Sequence, residues 1–153
     1  MQEILRKQLQ KVNSHYEALS DYSAFVEQMH FDFSVEHFMH LTVSEKAVLE
    51  AYLKRFSSLQ DFLGAKVFRS LLDVSGISYT KMSEVLILME KEEIIDLDMW
   101  IEFRNIRNNL EHDYPDELED ALLDLKYCLN HFGYLKGVVE KVFAFAGKYN
   151  AHI

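Results

Sequence analysis

Apolar residues recur every three or four positions along most of the chain, and this spacing predicts amphipathic α-helices. Few turn-forming residues interrupt the pattern, so the predicted helices are long and their connections short. An arrangement of this kind predicts an all-α, up-and-down bundle of four to five helices. The predicted helices span residues 2–28, about 44–74, about 80–91, Asp96 or Asp98 to Tyr114, and Asp116 to about Tyr149.

Polar and small residues mark where these helices begin, bend and end. Ser44 is the predicted N-terminal cap of the long central helix, and Gly76 is its predicted C-terminal cap. Pro115 ends the next long helix, because the residue before a proline is pushed out of the α region. In the last helix, Gly133 and Gly137 predict either a bend or close packing against a neighbour.

Two of the helices carry apolar stripes that define their inner faces. The stripe of the first helix has two interpretations, a coiled contact in a dimer or an ordinary bundle helix. The run is too short to establish a coiled coil, which favours the bundle helix. The first stripe contains Leu5, Leu9, Val12, Tyr16, Leu19 and Val26, and the stripe of the short helix contains Met82, Val85, Leu86 and Met89.

The composition agrees with one helical domain over residues 1–153. The chain has 153 residues, of which 49% are apolar, with five glycines and one proline. A chain of this length can bury a substantial core, and so few glycines and prolines argue against a turn-rich β sandwich. No linker, repeat or low-complexity segment divides it.

Cysteine usage and hydropathy indicate a soluble, cytoplasmic protein. The lone Cys128 falls in an apolar helical pattern, where a thiol is most often a core residue rather than a nucleophile. One cysteine allows no disulfide within the chain, as expected in a reducing compartment. The first residues lack the apolar core of a signal peptide, and no apolar run is long enough to span a membrane.

No cofactor or metal is predicted. His30, His37 and His40 lie in an aromatic-rich segment, but they form neither an H-x-x-x-H nor an H-E-x-x-H pattern. A histidine pair three residues apart beside Glu36 is more typical of packing or surface chemistry.

The stretch from Trp100 to Pro115, W-I-E-F-R-N-I-R-N-N-L-E-H-D-Y-P, concentrates the polar chemistry of the chain. An apolar and polar mixture opposite a core face indicates a docking surface. The predicted core stripe is Met99, Phe103, Ile106 and Leu110. The opposite face is predicted to carry Arg104, Arg107, Asn108, Glu111 and His112, with Trp100 and Ile101 also projecting away from the core.

His112 and Arg107 form a candidate acid–base site. His112 falls in the last helical turn, where the partial negative charge of the helix end favours the imidazolium. Arg107 lies five residues earlier, and its long side chain can reach toward the same point. A cation beside a titratable imidazole suits an anionic, phosphate-bearing substrate. Composition alone favours a structural explanation, in which Arg107 forms a surface ion pair with Glu111 and His112 with Tyr114 caps and packs the helix end.

At these residues the sequence resembles a known family. Arg107-Asn108-x-x-x-His112-x-Tyr114 is similar to the R-N-x-x-x-H-x-Y form of the R-x4-6-H motif of HEPN domains. It resembles in particular the HepT branch, the toxins paired with minimal nucleotidyltransferase antitoxins. The similarity extends from about Glu45 to the C-terminus and includes Arg55-Phe56, Leu59-Gln60-Asp61 and the acidic helix start at Asp116 and Glu117.

The resemblance implies a metal-independent endoribonuclease that acts as a HEPN-like homodimer on an RNA such as tRNA or mRNA. His112 would be the acid–base group, Arg107 would stabilise the scissile phosphate, and Asn108 would orient the pair. Arg104 is either part of a broader RNA patch or simple helix decoration. The resemblance also implies that a nucleotidyltransferase antitoxin neutralises the toxin by adenylylating Tyr114.

The acidic balance and the charges of the central helix leave alternatives open. A net charge of −9 restricts RNA contact to a local patch around Arg104 and Arg107, which a dimer would double. It also suits the alternative function, a non-catalytic substrate-binding or regulatory subunit of a nucleotidyltransferase. A free-standing scaffold is a third possibility with no motif behind it. Arg55 and Asp61 are either solvated surface charges or, as the resemblance implies, residues that shape the core or the site.

Overall fold

Every regular element in the described residues is helical. The structure, a computed structural model, describes residues 1–113 and 117–153, and for residues 111–113 it describes the backbone alone. The helices are α1 (Gln2–Met29), α2 (Val35–His40), α3 (Val43–Phe62), α4 (Phe68–Ser75), α5 (Met82–Lys91), α6 (Leu97–Asp113), α7 (Leu118–Asn130) and α8 (Phe132–Gly147). The all-α prediction is confirmed.

The predicted central helix exists, and it contains a turn that the sequence did not predict. A π-helical turn, Leu63–Val67, joins α3 to α4 without a break, so the helix runs from Val43 to Ser75. Its N-terminal cap is Thr42 and not Ser44. The Thr42 hydroxyl accepts a hydrogen bond from the backbone N–H of Glu45, and the Glu45 carboxylate accepts one from the N–H of Thr42. This reciprocal pair satisfies two backbone donors, which a cap at Ser44 would leave unpaired.

Gly76 ends the central helix as predicted. Its backbone is left-handed, with φ of 75°, and its N–H donates to the carbonyl of Asp73 at 3.2 Å. The next N–H, of Ile77, donates to the carbonyl of Leu72 at 3.0 Å. These two bonds close the last turn in the manner of a glycine-capped helix.

The first helix is an ordinary bundle helix. α1 packs mainly against α3 and also touches α8. The predicted stripe turns inward, and five of its members are buried: Leu5, Leu9, Val12, Leu19 and Val26. Because this stripe fills the chain's own core, it is not available for a coiled contact with a second copy.

Aromatic side chains fill the centre of the bundle between α3, α6 and the C-terminal helices. Phe103 of α6 packs edge-on against Phe56, with ring centroids 5.5 Å apart, and also against Tyr127 and Tyr134. Tyr52 ties α3 to α7, since its buried hydroxyl donates to the backbone carbonyl of Cys128 at 2.9 Å. These contacts fix α6 against the rest of the core.

The last predicted helix is divided in two at His131. The backbone there has φ of −102° and ψ of 13°, and α7 and α8 meet at this residue. The carbonyl of Tyr127 has two neighbours from His131, its backbone N–H at 3.0 Å and its ring Nδ1 at 2.8 Å. Gly133 and Gly137 do not serve close packing, because a Cβ at either would meet nothing within 4 Å.

Two further sequence predictions have different outcomes. In α5, Val85, Leu86 and Met89 are buried as expected, but Met82 is 36% exposed at the start of the helix. Cys128 is a buried core residue, as predicted.

None of the helices in the described part of the chain combines the length and apolar character needed to cross a membrane.

Candidate functional site

The start of α6 is held firmly, which fixes the position of the motif residues further along it. Asp96 is the N-terminal cap, because its carboxylate accepts a hydrogen bond from the N–H of Met99 at 3.0 Å. The N–H of Asp96 donates to the Tyr134 hydroxyl of α8, and the N–H of Leu97 donates to the Glu90 carboxylate of α5, each at 2.7 Å. Of the two predicted caps, Asp96 is therefore the correct one.

The inner face of α6 is wider than the predicted stripe. Phe103 is fully buried, while Met99, Ile106 and Leu110 are partly buried against the core. The prediction that Trp100 projects away from the core is wrong. Its side chain is 1% exposed. α6 contacts α3, α5 and α7, so more than one stripe of its surface is covered.

Trp100 is held between two other aromatic rings. Its ring centroid lies 5.1 Å from that of Phe68 and 6.4 Å from that of Phe103. The spacing of apolar residues in the sequence identifies one buried stripe of a helix. It does not show that a second neighbour covers the adjacent side. Ile101, which was also predicted to face outward, is half-buried.

Arg107 is held in place by an acidic residue of the central helix. Its Nη1 lies 2.9 Å from Oδ1 of Asp61, and its Nη2 donates to Oδ1 of Asn108 at 3.2 Å. The Arg107 side chain is only 15% exposed, and its Nε has no hydrogen-bond partner. Asp61 is therefore a contact of the candidate site, whereas Arg55 is not, since it lies 3.2 Å from His15 Nδ1 on α1.

Arg104 and Arg107 line one side of a small open cleft between the central helix, α5 and α6. The cleft has a volume of about 130 Å³. Its remaining lining residues are Gln60, Asp61, Gly64, Ala65, Met82, Leu86 and Trp100. Four of them come from the end of α3 and the π-helical turn, and π-helical turns are frequent at functional sites.

Gln60 is the buried polar residue of this cleft. It is 2% exposed, and its side-chain oxygen has no hydrogen-bond partner. In the sequence, Gln60 belongs to the Leu59-Gln60-Asp61 segment of the family resemblance, which implies no role for it. A signal was present, because Gln60 falls four residues after Phe56 and three before Leu63, on the apolar face of the central helix. Glutamine is mostly found on protein surfaces, so a glutamine on the apolar face of a helix indicates a buried group that needs a hydrogen-bond partner.

The other predicted site residues lie partly outside the described atoms. Asn108 is exposed and accepts the hydrogen bond from Arg107. The backbone of His112 belongs to the last turn of α6, as predicted, but its side chain lies outside the described residues. The helix exit and modification site predicted at Tyr114 also fall outside them.

Neither Cys128 nor the histidine segment adds a second reactive site. Burial raises the pKa of the Cys128 thiol to about 12, so the thiol stays protonated near neutral pH. His40 Nδ1 lies 2.8 Å from the carbonyl of Glu36, and His37 lies beside Asp32. Within residues 1–110 and 117–153, no three His, Cys, Asp or Glu side chains are arranged to hold a metal ion.

Together these observations define an all-helical protein with a two-arginine cleft on its most polar helix. Comparison with protein families, with curated proteins and with solved structures finds no match to this chain. The resemblance to HEPN domains remains a prediction that rests on the motif residues.

Proposed function

We propose that this protein is a HepT-like HEPN toxin, a metal-independent endoribonuclease that acts in the cytoplasm as a homodimer. The observation that carries the proposal is the position of Arg107. It is held by Asp61 at a cleft that Arg104 also lines. A guanidinium fixed in this way is suited to binding a phosphate, because its orientation is set before the substrate arrives.

In the proposed reaction, the ribose 2′-hydroxyl of the RNA attacks the adjacent phosphate. His112 takes the proton from this hydroxyl, and the 5′-oxygen of the next nucleotide leaves and is protonated by an acid or by water. The products are a 2′,3′-cyclic phosphate and a 5′-hydroxyl. Arg107 stabilises the added negative charge on the phosphate, and Asn108 keeps the guanidinium in orientation through its 3.2 Å contact.

Dimerisation doubles the local positive charge around Arg104 and Arg107. The chain carries a net charge of −9, so its overall field repels RNA. Two motif helices that meet across a two-fold axis bring four arginines, Arg104 and Arg107 from each copy, to one composite cleft. The substrate class is RNA of the tRNA or mRNA type.

The proposed partner is a minimal nucleotidyltransferase antitoxin that adenylylates Tyr114. An adenylyl group brings bulk and a negative phosphate two residues beyond His112, which blocks an anion-binding site by repulsion. Tyr114→Phe removes the acceptor hydroxyl and should leave the toxin active in cells that express the active partner. Wild-type protein in the same cells should be neutralised.

RNA cleavage by the purified protein tests the proposal. Wild-type protein and His112→Ala are incubated with total RNA and with tRNA, with and without a chelator. Mass spectrometry of Tyr114 first establishes that the protein is unmodified. Cleavage by the wild type alone, unchanged by the chelator, is the expected result. An unmodified wild type that cuts no RNA would overturn the assignment.

The burial of Arg107 favours a second candidate, a non-catalytic subunit that binds substrate for a nucleotidyltransferase or regulates it. The guanidinium is 15% exposed and has two protein partners, which is also typical of a structural residue. In this alternative, Arg107→Ala weakens the complex with the nucleotidyltransferase and the protein cuts no RNA. The two candidates share the fold and the partner and differ in the chemistry of Arg107 and His112.

A further inference from the structure

The size of the two-arginine cleft limits what it can hold. Its volume is about 130 Å³, and an apolar cavity of about 150 Å³ accommodates one benzene ring. The apolar part of the lining is Gly64, Ala65, Met82, Leu86 and Trp100. The size of this space is therefore closer to that of a single six-membered ring than to that of the two fused rings of a purine.

The Gln60 amide places a hydrogen-bonding group in the otherwise apolar lining. Its amide oxygen is buried without a partner, an unfavourable arrangement that a hydrogen-bond donor in the cleft would relieve. A primary amide offers an acceptor oxygen and a donor nitrogen, and a half-turn of the amide exchanges the two. A ring that has a donor beside an acceptor on one edge is complementary to it.

The two arginines add a requirement for negative charge at the same cleft. Arg104 is partly exposed there, and the inward Nε of Arg107 has no hydrogen-bond partner. A pyrimidine nucleotide meets all three requirements, since it has a single ring, a polar edge on that ring and a negatively charged phosphate. Cytosine and uracil both present a donor beside an acceptor on their pairing edge, and single-stranded RNA exposes that edge.

We infer that this cleft is a binding subsite for one pyrimidine nucleotide of a single-stranded RNA substrate. The base occupies the open cleft beside Trp100 and Gly64, its pairing edge meets the Gln60 amide, and its phosphate lies against Arg104 and Arg107. The inference rests on the proposed ribonuclease function and names the base next to the phosphate that Arg107 binds.

Gly64 lies beside Trp100 on the lining of the cleft. A Cβ at this position would lie 3.5 Å from the indole Nε1, an ordinary contact distance. Gly64→Ala therefore places a methyl group on the lining of the cleft without displacing the indole. It gives a second way to alter the cleft that leaves the Gln60 amide intact.

Trp100 is the only tryptophan of the chain, so its indole N–H resonance in an NMR spectrum reports directly on the cleft. The full-length protein is titrated with uridine and cytidine 5′-monophosphates, then with adenosine 5′-monophosphate and inorganic phosphate. Saturable shifts with both pyrimidine nucleotides are expected, with affinity at least tenfold higher than for the other two ligands. Equal affinity for inorganic phosphate or for the purine nucleotide, or no shift with any ligand, would overturn the inference.

The variants distinguish the Gln60 amide from a general loss of structure. Gln60→Leu is expected to weaken pyrimidine binding at least tenfold, and Gly64→Ala at least threefold. The matched control is Gln8→Leu on α1, because the Gln8 oxygen is also buried without a partner and does not line the cleft. Control binding should equal that of the wild type, and circular dichroism melting checks that each variant is folded. Unchanged affinity in folded Gln60→Leu would overturn the role of the amide.

Cleavage assays separate a failure of this inference from a failure of the proposed function. If the wild type cuts RNA and Gln60→Leu cuts it with the same base preference, the nuclease stands and the pyrimidine subsite is overturned. If pyrimidine nucleotides bind through Gln60 but no RNA is cut, the nuclease is overturned and the cleft remains a pyrimidine-nucleotide site.

Discussion

Asp61 and Arg107, 46 positions apart in the chain, meet at 2.9 Å between the central helix and the motif helix. The arginine is largely covered, while the Asp61 side chain is 65% exposed. An ion pair with one exposed partner contributes little to stability, about 1 kcal/mol or less. Its main consequence is positional, since it holds the guanidinium at the wall of the cleft.

Asp61→Asn is therefore expected to impair activity more than stability. The amide keeps the size of the side chain but loses the charge that orients Arg107. Loss of orientation of a phosphate-binding group is expected to slow RNA cleavage about 10- to 100-fold. The free energy of unfolding, measured in urea, should fall by about 1 kcal/mol or less.

The matched control for this variant is Glu50→Gln on α3. Glu50 is an exposed acidic residue of the same helix, and it does not line the cleft. The control should cleave RNA at the wild-type rate. If Asp61→Asn and Glu50→Gln had the same effect on the cleavage rate, the positioning role of Asp61 would be wrong.

The sequence predicted much of the helical framework because helix signals are local. The spacing of Leu5, Leu9 and Val12 is enough to identify the first helix, and Gly76 identifies the end of the central one. Asp96, one of two predicted caps, does begin the motif helix. Each of these signals depends on residues within one or two turns of one another.

The parts of the site that depend on distant neighbours were not predictable in the same way. The burial of Trp100 requires Phe68 of α4 and the π-helical turn beside α6, and the Arg107 contact requires the end of α3. The π-helical turn at Gly64 leaves no recognisable spacing signal in a single sequence. The cleft therefore emerges only from the packing of three helices.

Gly64 and Gly76 should respond in opposite ways to substitution by alanine. Gly64 lies inside the continuous central helix, where alanine costs less conformational entropy and its methyl meets Trp100 at ordinary distance. Gly64→Ala should stabilise the protein by about 0.5 to 1 kcal/mol. Gly76 has φ of +75°, and alanine there should destabilise it by about 1 kcal/mol.

Thermal and urea unfolding of the two glycine variants, measured side by side, checks this contrast. Each variant serves as the control for the other, because both add one methyl group to the same helix. A loss of stability in Gly64→Ala would mean that the space beside Trp100 is tighter than the structure indicates.

His15 should make the protein less stable in mildly acidic solution. Partial burial lowers the pKa of His15, and the nearby charges of Arg55 and Lys11 lower it further. The unfolded chain therefore binds a proton more readily than the folded one. Stability should fall as the pH drops below about 6.5, through the unfolded pKa and toward the folded one.

Urea unfolding at pH 8 and at pH 5.5 measures this dependence. His15→Gln should reduce the difference between the two pH values, because it removes the titrating ring. Arg55→Gln should reduce it in part, since the guanidinium 3.2 Å from His15 Nδ1 is one cause of the lowered pKa. A His15→Gln variant with the same pH dependence as the wild type would assign the effect to other groups.

The chemistry of the RNA ends tests the central claim most directly. Unmodified wild-type protein is incubated in chelator with an RNA and with the DNA of the same sequence, beside His112→Ala, and the products are identified by mass spectrometry. The expected result is that the wild type cuts only the RNA and leaves 2′,3′-cyclic phosphate ends. The His112→Ala variant should cut neither nucleic acid. No cleavage, cleavage of the DNA as well, or equal cutting by His112→Ala would contradict it.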